Sequence, residues 1–322
     1  MINNQKYKMK TAAPPKLNQN KWYKNKNMIQ LLSMCAIPLL LLLIFNYIPM
    51  GGLVIAFKDY RFDLGILGSN WVGWKNFEFL IRSNDFTRIT RNTLLLNSLF
   101  IATGTVGAVV TALMLYEVSV RLCIKIYQTI LIIPYFLSWV IVGYMTYALL
   151  NPQYGFINVV LKSFGMAGID WYSEPKYWPA ILTLAYLWKN IGINCITYYA
   201  GMMGVDRSYY EAAEVDGANR FQAIWHVTLP SIRPLIIIMT ILAIGNIFRA
   251  DFGLFYQLTR DVGKLYSTTD VIDTYIYRTM KIGTDGLSMS AATGLLQSVV
   301  GFIMIILTNY VVNRIDSDCA LF

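Results

Sequence analysis

Between Asn27 and Phe57 the chain carries no charged residue. A helix of roughly 20 residues crosses the hydrocarbon layer of a bilayer, and a soluble core helix rarely needs more than half of so long an apolar run. Similar runs recur along the sequence. Composition agrees: 56% of the residues are hydrophobic and only 14% charged, with a mean hydropathy of +0.47, where soluble domains carry about 25% charge. The expected class is an all-α integral membrane protein, and 322 residues suit a bundle of about six spanning helices with connecting loops.

Taken in order, residues 1–26 form a Lys- and Asn-rich tail with Pro14-Pro15, read as a disordered cytoplasmic segment. Residues 27–57 are the first transmembrane helix. A basic flank before an apolar core also fits a signal peptide, but this run is too long and no small-x-small site closes it. Residues 58–91 read as an outer interfacial segment rich in Trp71, Trp74, Phe77 and Phe79, with short helices from Asn76 to Arg91. Residues 92–313 hold the remaining spans: Asn92–Tyr116, Ile126–Leu150, Pro179–Met203, Ser231–Phe252 and Leu287–Asn313. Residues 151–178 and 253–286 read as outer segments. Residues 314–322 are a short cytoplasmic tail. Gly104, Ala108 and Ala112, and again Ser290, Gly294 and Ser298, recur every fourth residue, a pattern that lets a second helix approach closely. Pro134 should kink the third span and free a carbonyl that a neighbouring helix must satisfy.

The net charge of +9 does not point to nucleic acid. Its amino-terminal share is the lysine-rich tail beside the first span, where a cytoplasmic flank meets anionic lipid. Elsewhere Lys and Arg are nearly balanced across the two sides. Cys35, Cys123, Cys195 and Cys319 are scattered and form neither a disulfide framework nor a zinc pattern. There is no G-x-x-x-x-G-K-[ST] loop, no H-E-x-x-H and no nucleophile motif. No catalytic or metal-binding residue is assigned, and no cofactor is expected in the chain itself.

One segment breaks the oily pattern. Residues 206–230 carry Asp206, Arg207, Glu211, Glu214, Asp216, Arg220 and the single histidine, His226. Ser208 and Glu211 form S-x-x-E, a capping-box spacing that starts a helix near Tyr209. Gly217 ends that helix, a second runs from about Asn219 to Val227, and Pro230 stands at the mouth of the next span. The plain reading is an amphipathic connector. The alternative is a jointed elbow on the membrane surface, with Ala212 and Ala213 small enough to admit a partner. His226 reads as a surface or interface residue.

Glu211-Ala212-Ala213, then Gly217, then Val227-Thr228-Leu229-Pro230 resembles the EAA signature of inner-membrane permease subunits of binding-protein-dependent ABC importers. Val227 stands where the family usually has Ile. The resemblance implies the type I importer permease (MetI-like) fold, six transmembrane helices and a cytoplasmic coupling helix. It assigns ATPase coupling to Glu211, Ala212, Ala213, Asp216, Gly217, Leu229 and Pro230. It further implies a heterodimer with a second homologous permease and two ATP-binding cassette subunits that hold ATP and Mg. An extracytoplasmic sugar-binding protein completes the set, in a bacterial cytoplasmic membrane with both termini inside. Gly245–Arg260, Thr268–Arg278 and Ala320–Phe322 look like the subgroup that imports oligosaccharides or polysaccharide fragments.

Sugars present apolar faces and a polar rim, so aromatic and amide side chains at membrane depth are the candidates for the path. They are Tyr135, Trp139, Tyr144, Tyr147, Trp188, Lys189, Asn190, Asn194, Asn246, Arg249 and Gln297. Embedded polar groups are costly and face a cavity or pair with one another; Arg249 has Asp251 close by in sequence. If Lys189 or Arg249 faces the cavity, an acidic sugar follows. A permease for a peptide, amino acid or phosphate is the alternative within the family, and a secondary transporter the alternative outside it.

Overall fold

The computed structural model describes residues 26–315. The expected tails lie outside these residues except at their inner edges, as does the Ala320–Phe322 motif. The first span, α1, is Gln30–Phe57. Within it a π-turn at Leu43–Tyr47 precedes Pro49, whose ring would otherwise clash with the carbonyl of Phe45 and which has no N–H to offer it. Residues up to Gly52 form a unit of their own.

The second unit starts at Leu53. It opens with a short antiparallel ribbon, β1 (Lys58–Asp59) against β2 (Asn70–Trp71), in which Lys58 pairs with Trp71. Helix α2 follows (Lys75–Arg82). The expected start of the second span at Asn92 is too late: α3 runs from Asn84 to Tyr116. Ser83 caps it, its hydroxyl accepting from Phe86 N at 3.2 Å. Arg91, just before the expected start, and Arg88 are absorbed by outer elements. Arg88 pairs with Asp270 at 2.9 Å, and Arg91 donates to the Ser267 carbonyl at 3.1 Å.

The third span is broken where a kink was expected. Helix α4 (Arg121–Ile132) ends in a 3-10 turn over Ile133–Phe136, and α5 (Trp139–Leu150) departs at 93°. Pro134 denies the backbone one donor, and Ser138 restarts the helix by accepting from Ile141 N. After the short α6 (Phe156–Ser163) comes α7 (Trp178–Met203). Two surface helices, α8 (Arg207–Val215) and the start of α9, make the central loop. Helix α9 runs unbroken in direction from Arg220 to Gly245.

Residues 253–286, expected as an outer loop, are largely helical and packed. They include α10 (Phe252–Thr259) and α11 (Ile272–Met280). The last helix, α12, is Thr284–Ile315. Four helices are long and apolar enough to span a membrane, and the bent pair makes a fifth. Helix α7 is long enough for a sixth pass but lies outside that set. Its 26 residues extend about 39 Å, and only its polar residues, Lys189, Asn190 and Asn194 among them, keep its hydropathy lower.

Helices α3 and α7 lie side by side and carry two core layers. In the outer layer Phe100 stacks on Tyr186 at 4.6 Å, beside Trp178, Leu182, Leu254 and Phe255. In the inner layer Ala108, Ala112 and Leu115 meet Cys195, Tyr198, Met202 and Ile232. The Gly104-Ala108-Ala112 stripe faces this contact, and a Cβ on Gly104 would stand 3.3 Å from the Tyr186 ring. The second stripe does not hold one face. Ser290 is buried but Ser298 is exposed, because a spacing of four turns about 40° per step on a 3.6-residue helix. Ala292, Thr293 and Gln297 are buried instead.

Candidate functional site

The central loop is built as two capped helices joined by a glycine. Asp206, not Ser208, caps α8: its Oδ1 accepts from Ser208 N at 2.9 Å. That backbone N–H, helped by the Ser208 hydroxyl, holds the Asp206 carboxyl below the usual range. Glu211 pairs with Arg207 at 3.4 Å along the exposed side of α8, so the S-x-x-E spacing is not used as a box. Gly217 closes the helix at φ +78°. Its N–H donates to Glu214 O, and Ala218 N donates to Ala213 O at 2.9 Å. This double bond to the last carbonyls requires a left-handed residue, which glycine supplies without strain.

The true capping box lies in the second helix. Asn219 Oδ1 accepts from Gln222 N at 2.9 Å, and Gln222 Oε1 accepts from Asn219 N at 2.8 Å. The second elbow helix does not stop at Val227. It continues through a π-turn at Ile224–Thr228 into the fifth span, so Pro230 lies inside α9. The π-turn removes the contact between the proline ring and the His226 carbonyl, as it does before Pro49.

An open notch of ≈ 820 Å³ lies between the two helices. Ala212, Ala213, Asp216 and Gly217 line one side, and His226, Val227 and Pro230 the other. Glu211 stands outside the notch, and Leu229 points inward onto the inner core layer. The Tyr210 hydroxyl and Thr228 Oγ1 are 3.0 Å apart, and the Tyr210 ring sits 6.1 Å from Tyr116. Arg220 reaches Glu117 at 3.4 Å. The elbow is thus fastened to α3 as well as to α9.

The membrane-depth residues divide into two groups. Lys189 is buried, and its Nζ donates to the carbonyls of Tyr135 at 2.8 Å and of Leu137. It also lies over the Trp139 ring at 5.1 Å. The freed carbonyls of the broken third span are therefore served by an ammonium, and little of that charge is left for a ligand. Gln297 is likewise engaged, donating to Phe248 O at 2.6 Å and to Asp273 at 3.0 Å. Asn190 and Asn246 bond back to carbonyls of their own turns, Tyr186 and Leu242. Asn194 is half-buried, while Tyr135, Trp188 and Arg249 are exposed. Arg249 does not pair with Asp251. Asp251 accepts from Trp139 Nε1 at 2.6 Å and caps α10 through Leu254 N.

Several organising residues escaped the sequence reading. Asn97 donates to the carbonyls of Ile247 and Arg249. With Gln297 and Asp273 it pins the Asn246–Asp251 bend. Asp270, fully buried, binds Arg88 and Arg278. The available signal was an asparagine one turn inside an apolar span, which implies a backbone that needs a donor. Among the described residues no group of three or more His, Cys, Asp or Glu side chains is placed to hold a metal ion.

The role of Lys189 can be tested. Changing Lys189→Met should lower the melting midpoint of the detergent-solubilised chain, with a cost of about 2–3 kcal/mol for the lost charged hydrogen bonds. An unchanged midpoint together with lost uptake would assign Lys189 to substrate instead.

Comparison with known proteins agrees with this geometry. The family model described as the binding-protein-dependent transport system inner membrane component matches residues 104–317. Protein LplB of Bacillus subtilis (strain 168) is 38% identical over 280 residues, 87% of each chain. The polygalacturonan/rhamnogalacturonan transport system permease protein YteP of the same organism is 36% identical over 276 residues, 86% of this chain and 85% of its own. A chain in the crystal structure of a bacterial ABC transporter involved in the import of the acidic polysaccharide alginate superposes with a TM-score of 0.82. It is 32% identical and covers 92% of this chain and 99% of that one. A further match, at TM-score 0.81 and 33% identity over 91% and 97% of the two chains, is to the alginate transporter in complex with an alginate pentasaccharide-bound periplasmic protein. The chain belongs to the inner-membrane components of binding-protein-dependent transport systems, as a multi-pass, all-helical permease of the ABC-importer type.

Proposed function

We propose that this permease forms one side of the path by which an oligosaccharide or polysaccharide fragment enters a bacterial cell, and that Arg207–Pro230 is its handle for an ATPase. ATP and Mg are held, in this reading, by two partner cassette subunits, one of them docked on the notch beside Ala212, Ala213 and Gly217. A second permease completes the path, and an extracytoplasmic sugar-binding protein delivers the substrate. Both termini then lie in the cytoplasm. Two of the proteins named above are described by polygalacturonan/rhamnogalacturonan transport and by import of the acidic polysaccharide alginate, which favours a carbohydrate, and an acidic one, over a peptide, amino acid or phosphate.

The observation that carries the coupling role is the continuity of α9. Its 26 residues form a rod of about 39 Å from the elbow to the bend at Asn246–Asp251. That bend is bonded to Asn97, Asp273 and Gln297, and through Asp251 to Trp139, beside Lys189. A tilt imposed at Arg220 is carried to the floor of the path along one helix, through the π-turn at Ile224–Thr228 and past Pro234.

Gly217→Pro tests this. Proline fixes φ near −65°, against the +78° held here, so the elbow must open. In the reconstituted complex, vanadate-sensitive uptake should fall to background while the variant still inserts. Normal ATP-coupled uptake would sink the docking role, and uptake driven by a proton gradient and indifferent to vanadate would point to a secondary transporter.

A further inference from the structure

Helices α5 and α10 run in the same direction, and three contacts tie them like rungs. At the deep end Trp139 meets Asp251 and Gly253; in the middle a Cβ on Gly143 would stand 2.8 Å from the Gln257 carbonyl. At the outer end the Arg260 guanidinium lies 4.0 Å over the Tyr147 ring. Around this last rung is a cavity of ≈ 200 Å³, the scale of one sugar ring, lined by Tyr144, Tyr147, Tyr256, Gln257 and Arg260. Tyr144 is 68% exposed, so the cavity is open at the surface. Tyr256 extends the surface to Tyr277, 5.1 Å away, and Lys281 lies 4.1 Å over the Tyr277 ring.

We propose that this cluster is a carbohydrate subsite two helical turns outward from Lys189, selective for a sugar bearing a carboxylate. Among the described residues neither Arg260 nor Lys281 has an acidic partner within ion-pair distance. Arg88 and Arg278, by contrast, share Asp270, and the neighbouring Asp261 is taken by Arg278 and Tyr266. Arg260 lies over Tyr147 and Lys281 over Tyr277, so the exposed Tyr144 ring is left to stack against a pyranose while the guanidinium grips a carboxylate in a fork. The hydroxyl of Tyr277 holds the Lys281 ammonium above the usual lysine range, so its charge persists. Arg260 also occupies a left-handed position, φ +56°, at the end of α10. Glycine or asparagine serves that position with less strain; the stack on Tyr147 is the structural contact the arginine makes there.

This proposal rests on the sugar-importer reading, and one experiment separates the two. The complete transporter, reconstituted in vesicles with its ATPase and binding protein, is assayed for uptake of trigalacturonate, its fully methyl-esterified form and maltotriose. Wild-type vesicles should take up trigalacturonate. Arg260→Gly, which relaxes the backbone, should raise the half-saturating concentration about tenfold, and Lys281→Gln should do so less strongly. Uptake of the methyl ester should be the same in variant and wild type. Equal uptake of trigalacturonate by wild type and Arg260→Gly overturns the subsite but leaves the importer reading standing. So does equal loss for the acid and its ester, which would make the patch a docking surface for the binding protein. Wild-type uptake of maltotriose without trigalacturonate also removes the acidic specificity alone. Uptake of none of the three sinks the sugar reading itself.

Discussion

Gly192→Ala should abolish the folded permease. A Cβ at position 192 would stand 1.9 Å from the Leu131 carbonyl oxygen and 2.4 Å from its carbon. Both are backbone atoms, so no rotamer change relieves the overlap. Ordinary C···O contact needs about 3.3 Å, which against the observed 1.9 Å parts α4 from α7 by roughly 1.4 Å. Lys189 sits one turn away and bridges the same two segments. The separation therefore also strips the carbonyls of the broken third span, where no water waits to replace the ammonium. Overpacking a core typically costs 1–3 kcal/mol, and the lost Lys189 bonds add about 2 kcal/mol more. Size-exclusion chromatography of the detergent-solubilised variant should show aggregate in place of the monodisperse peak. Gly294→Ala is the control. Its nearest neighbour is Ile276 Cδ1 at 3.9 Å, and a methyl in a helix interior stabilises by about 0.5–1 kcal/mol over glycine. A monodisperse Gly192→Ala variant with wild-type melting would refute the close crossing.

The elements that declared themselves in sequence are those whose physics is local. Long apolar runs mark spans because lipid forces the backbone to satisfy itself. Gly217 marked a helix end because the left-handed closure needs it. Local spacing misled where two local solutions compete: Asp206 outbids Ser208 as the cap, since its carboxylate reaches the Ser208 N–H. Pro230 looked like a boundary, yet the π-turn before it lets the helix pass through. Both answers depend on local geometry that a residue pattern does not carry.

The candidate path was less legible, for a different reason. A buried polar residue looks the same in sequence whether it serves a ligand or a carbonyl. Lys189 and Gln297 turned out to hold the protein's own backbone at its two breaks. Those breaks were hidden: Pro134 read as a kink, and the bend at Asn246–Asp251 as the outer end of a span. Once a span breaks inside the membrane, freed carbonyls need donors, and the nearest embedded Lys, Asn or Gln is recruited. Tyr256, Arg260 and Tyr277 lie in the runs that resemble the polysaccharide-importing subgroup but were not named for the path, because residues 253–286 read as loop, whereas α10 and α11 fold back onto the bundle.

Asp270→Ala should be the most damaging change outside the span crossings. The Asp270 side chain is fully buried and binds Arg88 Nη2 at 2.9 Å and Arg278 Nη2 at 2.8 Å. It also accepts from Thr274 Oγ1 at 3.1 Å. These partners stand on α3 and α11, so one carboxylate fastens the outer helices to the central pair. Arg88 Nε and Arg278 Nη1 are already buried without a hydrogen bond, so the cluster has no slack. Removing one member of a buried ion pair costs about 3–5 kcal/mol, mainly because the surviving charge is left without a counterion. Here two guanidinium groups lose their fully buried partner in one substitution and keep only the more exposed Asp85 and Asp261. The melting midpoint of the purified complex should fall sharply, and Asp270→Asn should fall less because it keeps an acceptor. The triple change Asp270→Ala, Arg88→Met, Arg278→Met should recover much of the loss, since replacing a whole buried cluster by apolar side chains is often nearly neutral. If the triple variant is no more stable than Asp270→Ala alone, the penalty lies in lost packing and not in unpaired charge, and the clamp is not electrostatic.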